Sequence, residues 1–198
     1  KKKNYFSNYT GDNHQMFTND KNIPLVGGIS LIIPVLLVNP YNYTLSLFLI
    51  LIFSIGFFSD KKILISPKLR FLFQLIIVAL SIFLLKLEIS SSRLIFFDNF
   101  LENSSFNLLF TAFCLLILIN GSNFIDGLNS LLITYISIVI YTLVKLNFVP
   151  EIINYKNKIN YFLIFLIILI FLNFKNLLML GDAGAYILSF FTGYLIIK

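Results

Sequence analysis

The chain has 198 residues, 58% of them hydrophobic and 12% charged, with 23 Phe, no Trp, a formal charge of +6 and a mean hydropathy of +0.89. Soluble domains are about half apolar and about a quarter charged, so this balance excludes a soluble globular protein and points to an all-α, polytopic transmembrane helix bundle. The basic residues are spread over short connections between apolar runs, which excludes a nucleic-acid face, and the one cysteine, Cys114 in an apolar run, excludes a disulfide framework and a cysteine metal site.

Lys1 to Lys3 lead into Asn-Tyr-Phe-Ser-Asn rather than an apolar core, so no signal peptide is visible. Seven apolar runs follow: Leu25 to Val38, Tyr43 to Phe58, Leu69 to Leu87, Phe106 to Ile119, Leu128 to Phe148, Tyr161 to Phe174 and Ala183 to Ile197. Several are shorter than the roughly 20 residues that span a bilayer, but their Gly, Ser, Asn and Tyr flanks let helices extend beyond the apolar cores. Backbone groups in lipid must be satisfied internally, so helices are the reading for such Ile/Leu/Phe runs. No repeat or linker stands out, and residues 1–198 read as a single integral membrane domain with about seven membrane helices. The stretch from Glu88 to Ser105, with Glu88, Arg93, Asp98 and Glu102, reads as a solvated connection.

The longest polar break between apolar runs is Asn120 to Leu131, which spaces Asn123, Asp126 and Asn129 three residues apart. On a helix that spacing lines one face with oxygen-bearing side chains suited to a cation, a phosphate-bound metal or a nucleotide; the alternative is a polar turn joining two helices. Counting crossings puts the breaks after runs two, four and six on one side of the membrane, together with Pro24-Leu-Val-Gly-Gly28 before run one. Those breaks carry Asp60, Asp126 and Asp182. The same side holds Lys1, Lys2, Lys3, Lys21, Lys61, Lys62, Lys68, Arg70 and Lys175, nine basic residues against six on the other, which predicts a cytoplasmic location. Singly, each Asp reads as a helix cap, and Asp182 before Ala-Gly-Ala-Tyr fits an N-cap. Together, with Gly56, Gly127, Gly181 and Gly184 beside them, they read as an ion or phosphate site. Carboxylates next to Lys and Arg at a membrane face suit Mg2+ holding a diphosphate, and the apolar bundle adds a slot for a lipid. The chemistry predicted is phosphoryl transfer between a nucleotide donor and a lipid phosphate. His14 is the only histidine and builds no zinc site alone.

These residues carry a resemblance. Gly56-Phe-Phe-Ser-Asp60, then Ser66-Pro-Lys-Leu-Arg70 and Gln74, Asn123-Phe-Ile-Asp-Gly-Leu-Asn129, and Leu180-Gly-Asp-Ala-Gly-Ala-Tyr186 resemble the successive motifs of the polyprenyl-phosphate N-acetylhexosamine-1-phosphate transferases, the MraY/WecA family or glycosyltransferase family 4. Pro24 to Gly28 resembles its first cytoplasmic motif, with His14 and Lys21 upstream. The resemblance implies transfer of an N-acetylamino-sugar 1-phosphate from a UDP-amino sugar to undecaprenyl phosphate, releasing UMP, with Mg2+ or Mn2+ as cofactor. It implies the bacterial inner membrane as location, the lipid bilayer as partner, and allows a homodimer. The resemblance implies Asp182 and Asp60 at the metal-binding positions, Asp60, Asp126 and Asp182 at the catalytic ones, Asn123 and Asp126 as the Asn-x-x-Asp motif near nucleotide and metal, and Asn123, Asn129, His14, Lys21, Lys61, Lys62 and Lys68 as substrate contacts.

Ser59 stands where the family usually has the first Asp of a pair. Asn129 and Ser130 replace an Asp and a Gly, which points toward the polysaccharide-initiating branch and away from the peptidoglycan branch. The family pattern also implies a helix before Lys1, a further helix after Lys198 and a histidine-rich loop, so the sequence reads as a piece of a longer enzyme. The competing readings are a non-catalytic relative, suggested by Ser59, and an ion-coupled transporter, which would place its carboxylates nearer mid-membrane. A CDP-alcohol phosphotransferase needs a second Asp-Gly, which Asn129-Ser130 breaks.

Overall fold

A computed structural model describes residues 23–38, 42–127, 130–146 and 156–198. Among the described residues the fold is all-α: α1 Gly27–Val38, α2 Tyr43–Asp60, α3 Pro67–Leu85, α4 Ile95–Leu101, α5 Ser104–Ile125, α6 Leu131–Lys145, α7 Lys156–Phe174 and α8 Gly181–Ile197. Helices α2, α3 and α5, and Asn157–Phe174 of α7, are long and apolar enough to cross a membrane; α1, α6 and α8 are shorter apolar helices. Their sum matches the seven apolar runs.

Local chemistry sets the helix starts. Asn42 accepts the Leu45 amide at 2.9 Å at the head of α2, and Asn103 accepts the amides of Ser105 and Phe106 at the head of α5. Pro67 opens α3, where its missing N–H costs nothing. Of the two readings of the polar stretch, helix or turn, Asn120 to Ile125 take the helical one as the last turns of α5, and the helix ends before Asp126. The helix continues because Asn120 is satisfied inside the bundle, donating to the Leu116 carbonyl and to Gln74, both at 2.9 Å.

The bundle is organised around α8. Fourteen of its 17 residues are buried, because α1, α2, α5 and α6 surround it. A helix apolar on every face belongs in such a position. Its hydroxyls stay within the helix, Ser189 donating to the Ala185 carbonyl at 2.6 Å and Thr192 to that of Leu188 at 2.8 Å. Its first turns are small residues, and α2 approaches so closely there that a Cβ on Gly56 would lie 2.5 Å from the Ala183 nitrogen. Small residues at such a crossing allow backbone-to-backbone packing in lipid. Helix α3 lies outside α2 and α5, and α7 outside α6 and α1.

The stretch from Glu88 to Ser105 is not a simple solvated connection. It contains α4, whose Phe97 stacks edge-on against Phe106 and Phe110 at centroid distances of 5.6 and 4.8 Å, while Ile95 and Phe96 are 84% and 78% exposed. Buried Asn107 pins the stretch by donating to the carbonyls of Ile89 and Leu101, at 2.9 and 3.0 Å. An ordered turn with outward aromatic and aliphatic groups suits the membrane–water boundary better than bulk water.

Candidate active site at the head of the central helix

An α-helix begins with backbone N–H groups that have no partner within the helix, and with the positive end of its dipole. At the head of α8 those groups are met by carboxylates from two other helices. Asp60, the last residue of α2, accepts the amides of Asp182 at 2.8 Å and Ala183 at 3.1 Å, one on each oxygen. Asp126, just past α5, accepts the amide of Gly181 at 3.1 Å through Oδ2. Asp182 is therefore not the N-cap that its sequence setting suggests. It lies within the first turn, and the capping is done in trans by Asp60 and Asp126. Gly181 makes this possible: its φ is +74°, and a Cβ there would lie 2.8 Å from Asp60 Oδ2.

Freed from capping, the Asp182 side chain turns outward. Its Oδ2 accepts the Arg70 guanidinium at 2.7 Å and the Ser59 hydroxyl at 2.5 Å, and Arg70 also donates to Ser59 at 2.5 Å. The pair is largely shielded, with side-chain exposures of 18% for Arg70 and 14% for Asp182. Ser59 thus completes a triangle with Arg70 and Asp182 from the position where a family Asp was expected. Three carboxylates share this end of the bundle with one close guanidinium. Burial, followed by the charges of Asp182 and Asp60, holds the Asp126 carboxyl well above the usual carboxylate range.

The lead-in to α1 joins the same end. The first amides of α1, Gly27 and Gly28, donate to the carbonyls of Met179 and Leu180 at 3.0 and 2.9 Å, and the Met179 amide returns a bond to Pro24 at 3.0 Å. The crossing count is borne out: Pro24 to Gly28, Asp60, Asp126 and Asp182 meet at one end. Lys61, Lys62 and Lys68 follow Asp60 in the α2–α3 connection; Lys61 lies over the Phe57 ring at 5.6 Å, and Lys62 and Lys68 are exposed. Asn123 is on the last turn of α5, and its Oδ1 is buried without a hydrogen-bond partner. His14, Lys21 and Asn129 lie outside the described residues.

Sequence reasoning missed two site residues. Arg70 stands in the Ser66 to Arg70 motif and among the basic residues of this face, but it receives no site role from the sequence, although its place four residues after Ser66 at the start of α3 puts it at the same membrane face as Asp60. Asn173, a lone amide near the end of an apolar run, is buried and accepts the Ser130 amide at 2.6 Å while donating to the Leu178 carbonyl at 3.0 Å. It fastens the connection after Asp126 to the one before Gly181. Among the described residues, no three His, Cys, Asp or Glu side chains form a cage around one ion.

Compared with known families, residues 25–198 match glycosyl transferase family 4. No curated protein and no solved structure matches the chain. Enzymes of that family are phospho-sugar transferases that act in a membrane, from a sugar nucleotide to a polyprenyl phosphate. With the match covering most of its length, and with its multi-pass helical fold, the chain belongs to glycosyl transferase family 4.

Proposed function

We propose that the protein transfers an N-acetylamino-sugar 1-phosphate from a UDP-sugar to undecaprenyl phosphate at the cytoplasmic face of a bacterial inner membrane, the first membrane step of cell-envelope polysaccharide synthesis. The observation that carries this reading is the gathering of Asp60, Asp126, Asp182 and Arg70 at one end of a membrane bundle, beside the lysines of the α2–α3 connection. Asn129 and Ser130 in the central motif favour a polysaccharide-initiating substrate over a peptidoglycan one.

The reaction exchanges one phosphoanhydride for another. An oxygen of the lipid phosphate bonds to the sugar-bearing phosphorus as that phosphorus releases UMP, so one P–O–P bond forms and one breaks, with no water consumed. Catalysis of this kind rests on positioning and on neutralising phosphate charge. Asp60 holds the head of α8 against α2, Ser59 and Arg70 fix the rotamer of Asp182, and Lys61, Lys62 and Lys68, with Lys21, meet phosphate oxygens.

The donor set fits Mg2+ bound in its usual way, through one or two carboxylates and the substrate phosphates rather than a full protein cage. Asp182 and Asp126 each accept their hydrogen bonds through Oδ2, and these two carboxylates would hold the ion. Asp60, expected from sequence as a ligand, has both oxygens engaged by amides and serves as a clamp. When bound, Mg2+ or Mn2+ supplies charge neutralisation at the diphosphate. Membranes holding the complete gene product, given undecaprenyl phosphate and a panel of UDP-amino sugars, test the reading. UMP release with one sugar preferred supports it; no release with any of them, from folded protein, contradicts it.

A further inference from the structure

Helix α3 packs on α2 and α5 rather than on α8, yet it delivers Arg70 to Asp182 on α8. A long, flexible side chain reaching across such a gap needs its helix held at a fixed height and rotation. One turn along α3 from Arg70 is Gln74, and one turn along α8 from Asp182 is Tyr186. Side chains four residues apart share a helix face, so Gln74 and Tyr186 form a second level directly behind the Arg70–Asp182 pair.

Gln74 is fully buried and Tyr186 is 2% exposed. The Oε1 of Gln74 accepts Asn120 Nδ2 from α5 at 2.9 Å. Its Nε2 is buried with no hydrogen bond, although Gln74 lies beside the Tyr186 phenol. A neutral amide inside an apolar bundle is costly unless its groups are used. Neither the capping of α8 nor the proposed reaction uses Gln74.

We propose that Gln74 is a positioning residue: it ties α3 to α5 through Asn120 and rests its free N–H against Tyr186, and so sets Arg70 in register with Asp182. The two levels act as one unit, the outer one charged and facing the site, the inner one neutral and shielded by the bundle. This inference rests on the transferase reading for its kinetic consequence but not for its structural one.

Gln74→Leu keeps the bulk and removes both polar atoms; Tyr186→Phe removes only a hydroxyl and keeps the ring packing. In the transfer assay, Gln74→Leu is expected to lower kcat about tenfold with KM for the nucleotide sugar within about twofold, and Tyr186→Phe to lower kcat about threefold. In an Arg70→Lys background, Gln74→Leu is expected to add little further loss, because the register it sets no longer serves a bidentate-capable group. The same cycle is read in thermal unfolding of the full chain in detergent, where the double variant is expected to lose less than the sum of the singles. Wild-type kcat in Gln74→Leu overturns the proposal, as does strict additivity with Arg70→Lys in the unfolding cycle. A wild-type protein without transfer activity overturns the transferase reading instead, and the unfolding cycle then decides this inference.

Discussion

Asp60 and Asp182 meet through a backbone amide rather than through their side chains: the Asp60 carboxylate accepts the Asp182 N–H at 2.8 Å, while the Asp182 carboxylate turns away to Arg70 at 2.7 Å. Two carboxyl groups therefore share one helix start, each with a separate partner. Asp60 joins α2 to α8, and Asp182 stays available at the membrane face. Asp60→Ala is expected to destabilise the bundle by about 1–2 kcal/mol, the loss of an N-terminal cap, and Asp60→Asn by less, because its carbonyl still accepts one amide. Thermal unfolding in detergent measures both. An Asp60→Ala protein as stable as wild type would show that the clamp carries no weight.

The close approach of α2 and α8 makes two glycines behave in opposite ways. A Cβ on Gly56 would collide with the backbone of Asp182 and Ala183, so Gly56→Ala is expected to cost about 1–3 kcal/mol by overpacking. Gly121, inside α5, has nothing within 4 Å of its added Cβ. Gly121→Ala is expected to stabilise by about 0.5–1 kcal/mol, since alanine is the better helix former. Measured side by side, equal effects would contradict the packing described.

Asn173 fastens the connection after Asp126 to the one before Gly181, through Ser130 and the Leu178 carbonyl. Asn173→Leu leaves those buried groups unsatisfied, at about 1–3 kcal/mol for each orphaned group. Its expected signature is a lowered unfolding temperature with reduced transfer activity. A stable, fully active Asn173→Leu protein would remove the tether from the account.

Much of this site was legible in the sequence, and what was hidden depended on three-dimensional partners. Alternating crossings put Asp60, Asp126 and Asp182 on one face because apolar runs separated by short breaks leave few other topologies. The glycines beside them were readable as points of close backbone approach, as Gly56 and Gly181 prove to be. Which Asp capped which helix was not readable, since Asp60 and Asp126 cap α8 from positions 122 and 55 residues away in sequence. Asn120 to Ile125 stayed open between helix and turn because polar residues interrupt the apolar run; the partner that takes up the Asn120 amide, Gln74, is far away in sequence. The aromatic character of the Glu88 to Ser105 stretch was present in Phe96, Phe97 and Phe100, but its charges outweighed it in the reading. Asn173 offered only a lone amide near a helix end.

At the opposite end of the bundle, Asp98 accepts the Ser92 hydroxyl and amide, both at 2.6 Å, and the Ser91 hydroxyl at 2.8 Å. Those bonds, the Ser92 hydroxyl first, hold its carboxyl below the ordinary range. A lowered folded value means that the stabilisation is present above the unfolded value of about 3.9 and is lost as pH falls through the folded one. The stability difference between wild type and Ser92→Ala is therefore expected to be constant above about pH 5 and to shrink below about pH 4. A difference that grows on acidification would contradict the assignment.

The acidic cluster at the head of α8 is where phosphoryl transfer is expected to occur. UMP release from UDP-N-acetylglucosamine and undecaprenyl phosphate is followed in membranes holding the complete gene product, with Mg2+ or with chelator, for wild type and for Asp182→Asn. Release is expected to require the divalent ion and to fall by a factor on the order of a hundred or more in Asp182→Asn, with the variant still folded. Undiminished release in Asp182→Asn, or release unaffected by chelator, would contradict it.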